Sequence, residues 1–226
     1  MDESLFQVLL ELVSEQRKQR AERFLRREDA WRSVLGEALA RYCIGQRESI
    51  SSHEVRFAIN EQGKPFTQTP GRTHFNISHS GSWIVCALDE RPVGVDVERI
   101  HAIEFDIAKR FFSPKEYEDL SCLSGQAREE RFFEYWTLKE SYIKAIGKGL
   151  SCPLSSFTIV LGNGRIAMSV EKQMPLLLFK QYDLGAGYKC ALCASHENFP
   201  REILRVRPEE LTSPLRAERG GYDDLK

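Results

Sequence analysis

Apolar and other residues alternate strictly through Val93-Gly94-Val95-Asp96-Val97-Glu98, which predicts a strand with three valines on one face and Gly94, Asp96 and Glu98 on the other. A shorter alternation at Val55-Arg56-Phe57-Ala58-Ile59 predicts a strand before a Gly63-Lys64-Pro65 turn. The apolar run 83–88 predicts a buried strand that ends at the turn Asp89-Glu90-Arg91-Pro92. Further strands are predicted over 157–161, 166–170, 176–182 and 188–194. Helical signals occupy the chain up to about residue 44, where good helix formers carry a basic run that includes Arg17 and Arg20. Ser113-Pro114-Lys115-Glu116 predicts a helix start, with serine at the N-cap, proline at N1 and glutamate at N3. A longer helix over 127–146 is stopped by Gly147-Lys148-Gly149. Each half thus shows helices feeding antiparallel-looking strands, which predicts an α+β fold of two lobes, 1–93 and 94–211. Residues 212–226 are expected to form a frayed polar tail.

Composition narrows the function classes. Of 226 residues, 42% are hydrophobic, ample for a packed core, and 29% are charged, yet the net charge is only −1. Near-neutrality argues against binding nucleic acid through bulk charge. No apolar run approaches the roughly 20 residues of a membrane span. The stretch 5–13 is interrupted by Gln7 and Glu11 and lacks the basic start of a secretory signal, so a cytoplasmic protein is expected. The six cysteines have no disulfide-framework spacing. Cys190 and Cys193 could form a redox or zinc half-site, but three residues apart on a strand they point to opposite faces, which favours a structural role.

Three groups of residues can carry chemistry. Asp96 and Glu98, at i and i+2 on one strand face, can converge on a hard cation such as magnesium, or form the solvated face of a half-buried strand. Trp136, Glu140 and Lys144 share a helical face crowded by Phe132, Phe133, Tyr135 and Tyr142, so Glu140 and Lys144 are either an exposed pair or a half-buried functional one. The run Phe75-Asn76-Ile77-Ser78-His79-Ser80-Gly81 reads as a turn whose hydroxyls and imidazole either cradle phosphate or are plain polar surface. Lys64 adds a fixed positive charge nearby in its own turn.

Asn76-Ile77-Ser78-His79-Ser80, Gly94-Val95-Asp96-Val97-Glu98, Phe112-Ser113-Pro114-Lys115-Glu116-Tyr117 and the block from Trp136 to Lys144 occur in an order and spacing that resembles the 4′-phosphopantetheinyl transferases. The resemblance covers roughly residues 17 to 200, and the length is similar to the larger surfactin-synthetase-activating branch. It implies a pseudo-twofold, monomeric enzyme that moves the phosphopantetheine arm of coenzyme A onto a serine of an apo peptidyl or acyl carrier protein, as in nonribosomal peptide and polyketide synthesis. It also implies a site. Asp96, Glu98 and Glu140 would hold Mg2+, and Lys144 would contact the phosphates. Arg17, Arg20, Lys64, Ser78 and His79 would bind the nucleotide end, with arginines where the family commonly has lysines. Glu116, Glu140 or a metal-bound water would serve as base, although Glu116 also closes its own capping box. The segment from about Gly147 to residue 178 would dock the carrier, with Lys144 and Lys148 steering acidic partners and Leu150 and Phe157 adding apolar contact or core. Two other readings share the acidic cluster: a different magnesium-dependent phosphotransferase or nucleotide hydrolase, and a non-catalytic coenzyme A binding module.

Overall fold

In a computed structural model, residues 2–212 are described except 69, 70, 72, 163, 171–173 and the side chain of Leu150. The expected tail lies outside them apart from Thr212. The N-terminal helical region is three helices rather than one: α1 (Glu3–Leu12), α2 (Glu15–Glu22) and α3 (Arg27–Glu48). Side-chain caps explain the starts of the first two. Asp2 accepts from the Ser4 amide at α1, and Ser14 accepts from the Arg17 amide at α2. α3 runs past residue 44 and stops where Ser49 turns left-handed. Phe6 and Leu9 of α1, Ala21 of α2, and Trp31 and Val34 of α3 pack the three helices together.

Among the described residues every strand pairing is antiparallel, so the fold is α+β as predicted. β1 (Phe57–Ile59) and β2 (Pro65–Thr67) form a short hairpin, and β3 (His74–Ser80) and β4 (Trp83–Asp89) a longer one. β5 (Gly94–Arg99) pairs with β9 (Tyr188–Ala194), which pairs with β8 (Leu178–Gln181). β6 (Phe157–Gly162) and β7 (Arg165–Val170) form a separate hairpin. Between β5 and β6 run α4 (Asp106–Phe111), α5 (Pro114–Ser121) and α6 (Gly125–Ile146). The capping box of α5 is complete, and Gly147 ends α6 with φ 70°.

The polar run before Gly81 is not a turn, as expected, but strand β3. The strand predicted to begin at Val55 begins at Phe57, because Arg41 takes the Val55 carbonyl into a buried hydrogen bond of 2.8 Å. Cys190 and Cys193 lie on opposite faces of β9, each in a different apolar cluster. Phe157 is core, 2% exposed and packed against Tyr142. No helix among the described residues is long and apolar enough to cross a membrane.

One glycine sets the geometry that follows. A Cβ on Gly94 would lie 2.0 Å from the Ser141 carbonyl oxygen and 2.4 Å from the Ala145 nitrogen of α6. Only glycine lets the α6 backbone rest directly on β5. The helix therefore lies across the strand face that carries the acids.

Candidate functional site

Asp96 and Glu98 project from β5 on the side of Gly94, toward α6. α6 meets them with Trp136, Glu140 and Lys144 on successive turns. Ile77, Ser78 and His79 of β3 close the third side, giving one cleft of about 360 Å³. The structure thus brings Ser78, His79, Asp96, Glu98, Glu140 and Lys144 together.

Asp96 is 2% exposed. Its Oδ1 accepts from Ser78 Oγ at 2.8 Å and from Lys144 Nζ at 2.5 Å. Its Oδ2 is buried and has no hydrogen-bond partner, the one such side-chain atom among the described residues. A buried carboxylate oxygen without a donor is costly and needs an explanation. Burial pushes the Asp96 carboxyl above its ordinary value, and Lys144 only partly opposes this. Glu98 is raised by burial and by the Asp96 charge, while Ser80 Oγ holds its Oε2 at 2.8 Å. Glu140 is pushed up to about 7, by burial first and Asp96 second. Three carboxylates thus face one ammonium, and the surplus negative charge suits a cation.

Among the described residues no three His, Cys, Asp or Glu side chains close into a ready metal cage. An open set fits magnesium better than a closed one, because magnesium keeps waters and takes substrate phosphates beside one or two carboxylates. The orphaned Asp96 Oδ2 and the raised acids are what such an ion would satisfy.

The other expected residues lie outside this cleft. Lys64 Nζ donates to the Val93 and Lys144 carbonyls, tying the end of α6 to the start of β5. Its pKa falls to about 8 through burial and the nearby Lys144 charge, and it lines a second cavity of about 440 Å³ with Phe66, Thr73 and His74. Arg17 donates to Glu37 at 3.0 Å and to Ser33 at 3.0 Å, so much of its guanidinium is held against α3. Arg20 is exposed on α2.

Glu116 is the clearest departure from expectation. It is fully buried, its Oε2 accepts from the Ser113 amide at 2.8 Å, and its Oε1 accepts from the Ile159 amide at 2.7 Å and from Lys139 at 2.9 Å. Both oxygens are occupied, and Glu116 is not among the residues that line the acidic cleft.

Arg32 escaped the sequence reading. It donates to the Gly81 carbonyl at 3.1 Å, and it adds, with Lys144, to the burial that lowers the His79 pKa and favours the neutral imidazole. Only its place on α3 beneath the β3–β4 turn reveals it, a tertiary fact without a local signal.

Residues 92–193 match the 4′-phosphopantetheinyl transferase superfamily, and residues 2–91 match the family described as 4′-phosphopantetheinyl transferase, N-terminal. The chain is 39% identical over 203 residues to the 4′-phosphopantetheinyl transferase Sfp of Bacillus subtilis, covering 89% of this chain and 91% of that one. It is 40% identical over 213 residues to the 4′-phosphopantetheinyl transferase gsp of Aneurinibacillus migulanus, covering 93% of this chain and 89% of that one. With that identity sustained across both halves, the chain belongs to the 4′-phosphopantetheinyl transferases.

Proposed function

We propose that the chain transfers the 4′-phosphopantetheine group of coenzyme A to a serine of an apo carrier protein and releases adenosine 3′,5′-bisphosphate, with magnesium held by Asp96, Glu98 and Glu140. The observation that carries the site assignment is the buried, unpartnered Asp96 Oδ2 among three carboxylates. When bound, the ion would make the attacked phosphorus more electrophilic and offset charge on the departing nucleotide.

The remaining roles belong to the chain's own groups. Lys144, only partly buried, can turn its ammonium from Asp96 toward a phosphate oxygen. His79, neutral at the mouth of the cleft, and Ser78 bind the nucleotide end. Arg17, Arg20 and Lys64 add positive charge toward the nucleotide end. Glu140, which lines the cleft, is the carboxylate placed to take the serine proton. The N-terminal lobe, 1–93, then serves coenzyme A, and the segment after α6 docks a peptidyl or acyl carrier. The chain works as a cytoplasmic monomer.

Incubation with coenzyme A, magnesium and an apo carrier protein should raise the carrier's intact mass by one phosphopantetheine. Nucleotide release without that gain would mean hydrolysis and overturn the reading.

Magnesium and a proton compete for Glu140, which gives a pH signature. Its folded pKa of about 7 lies above the ordinary glutamate value of 4.5. A carboxylate raised in this way favours folding at low pH, and that contribution is lost as pH rises from about 4.5 to about 7. Magnesium should therefore raise the melting temperature little at pH 6 and clearly more at pH 8. Equal shifts at both pH values would remove Glu140 from the metal site.

A further inference from the structure

Among the described residues β5 is paired on one edge only, with β9. In an antiparallel pair alternate N–H groups point away from the partner strand. On β5 these are the N–H groups of Val95, Val97 and Arg99, and each is met by a side chain of β3 rather than by backbone. Val95 N donates to Asn76 Oδ1 at 2.8 Å, Val97 N to Ser78 Oγ at 3.3 Å, and Arg99 N to Ser80 Oγ at 3.0 Å. Asn76, Ser78 and Ser80 are spaced i, i+2, i+4 and so share one face of β3. They replace a strand-to-strand ladder with a side-chain one.

The two hydroxyls do more than accept. A serine hydroxyl has one proton to give. Ser78 gives its proton to Asp96 Oδ1 at 2.8 Å, and Ser80 gives its proton to Glu98 Oε2 at 2.8 Å. Each serine therefore clamps an acid and the amide of the next residue at the same time. Residue type follows need along the ladder: opposite Gly94, which has no carboxylate, stands Asn76, and opposite the two acids stand serines. An acceptor alone would satisfy the β5 amides, whereas only a hydroxyl also aims the acid.

We infer that Ser80 is a positioning residue for the metal site, one that fixes the Glu98 carboxylate in the cleft through its hydroxyl proton. This rests on the metal reading above and adds to it a residue that touches neither metal nor substrate. Outer partners that orient ligating carboxylates typically change metal affinity by about 10- to 100-fold when removed. Arg99 is exposed, so water can take over its amide when Ser80 is truncated, and the fold loses little.

The test is a magnesium titration of the full chain, followed both by melting temperature and by the rate of carrier mass gain. Ser80→Ala should raise the magnesium concentration at half-effect by about tenfold. It should leave the coenzyme A KM at saturating magnesium close to the parent value, and Ser80→Thr should restore the parent titration. Should the alanine variant fail to fold, Ser80→Cys carries the same expectation, because a thiol is a poor donor to Glu98. An unchanged titration in the alanine or cysteine variant overturns the inference, as does failure of threonine to restore it. A drop in melting temperature alone would make the ladder structural only and also overturn it. A parent protein that does not respond to magnesium defeats the metal reading itself, and this inference with it, which separates the two failures.

Discussion

Replacing Asp96 by asparagine should abolish phosphopantetheine transfer while leaving the magnesium-free protein as stable as the parent, or more so. The two halves of this outcome have one cause. Asp96 is almost fully buried, one of its oxygens has no donor, and burial raises its pKa despite the adjacent Lys144. The ionised form is thus held in the fold at a cost that Lys144 offsets only in part and that a further cation in the cleft would relieve. Asparagine has nearly the same shape and carries no charge, so it removes that cost. Lys144 keeps Ser78 Oγ at 3.1 Å and the Val95 carbonyl at 3.4 Å, and it is partly exposed to water. The transfer step, in contrast, loses a metal ligand, and a loss of several kcal/mol of charge stabilisation is a rate loss of about 100-fold or more. Magnesium should raise the parent's melting temperature and leave that of Asp96→Asn unmoved. A variant that still modifies the carrier near the parent rate would remove Asp96 from the site. A variant that melts well below the parent would show that the Asp96–Lys144 ion pair is net stabilising. Sites that trade stability for function behave in the way expected here.

Elements with a local cause were legible in the sequence. The capping box of α5 needs only Ser113 and Glu116, and the end of α6 needs only Gly147. β5 declared itself through alternation, and the spacing of Cys190 and Cys193 sufficed to place them on opposite faces. β3 was read as a turn for a physical reason. Its Asn76, Ser78 and Ser80 are residue types that favour turns, because they bond readily to nearby backbone. Here the backbone they bond belongs to β5, some 19 residues on, which a local reading cannot see. The cleft shows the same division. One helical face for Trp136, Glu140 and Lys144 follows from spacing alone. That Lys144 reaches Asp96 depends on α6 resting on Gly94, and that Arg17 lies against Glu37 depends on how α2 folds onto α3.

Glu116→Gln should lower stability by about 3–5 kcal/mol without removing transfer from the folded fraction. Lys139 and Glu116 are both fully buried and 2.9 Å apart. Lys139 has three protons and three acceptors: Glu116, the Leu154 carbonyl at 2.8 Å and the Phe157 carbonyl at 2.6 Å. Its ammonium also sits 4.1 Å from the centre of the Phe157 ring. Glu116 in turn holds the Ser113 amide of the α5 cap and the Ile159 amide of β6. The pair therefore joins α5, α6 and β6 through a network in which every donor is used. Glutamine keeps one acceptor oxygen but turns its NH2 toward a donor, and it leaves the Lys139 charge buried without a counter-charge. Lys139→Met in the glutamine background should recover part of the loss, because it removes the stranded charge. A double-mutant cycle of urea midpoints measures that coupling. The contrary outcome is as clear: parent-like midpoints with transfer lost would make Glu116 the group that takes the serine proton, in place of Glu140.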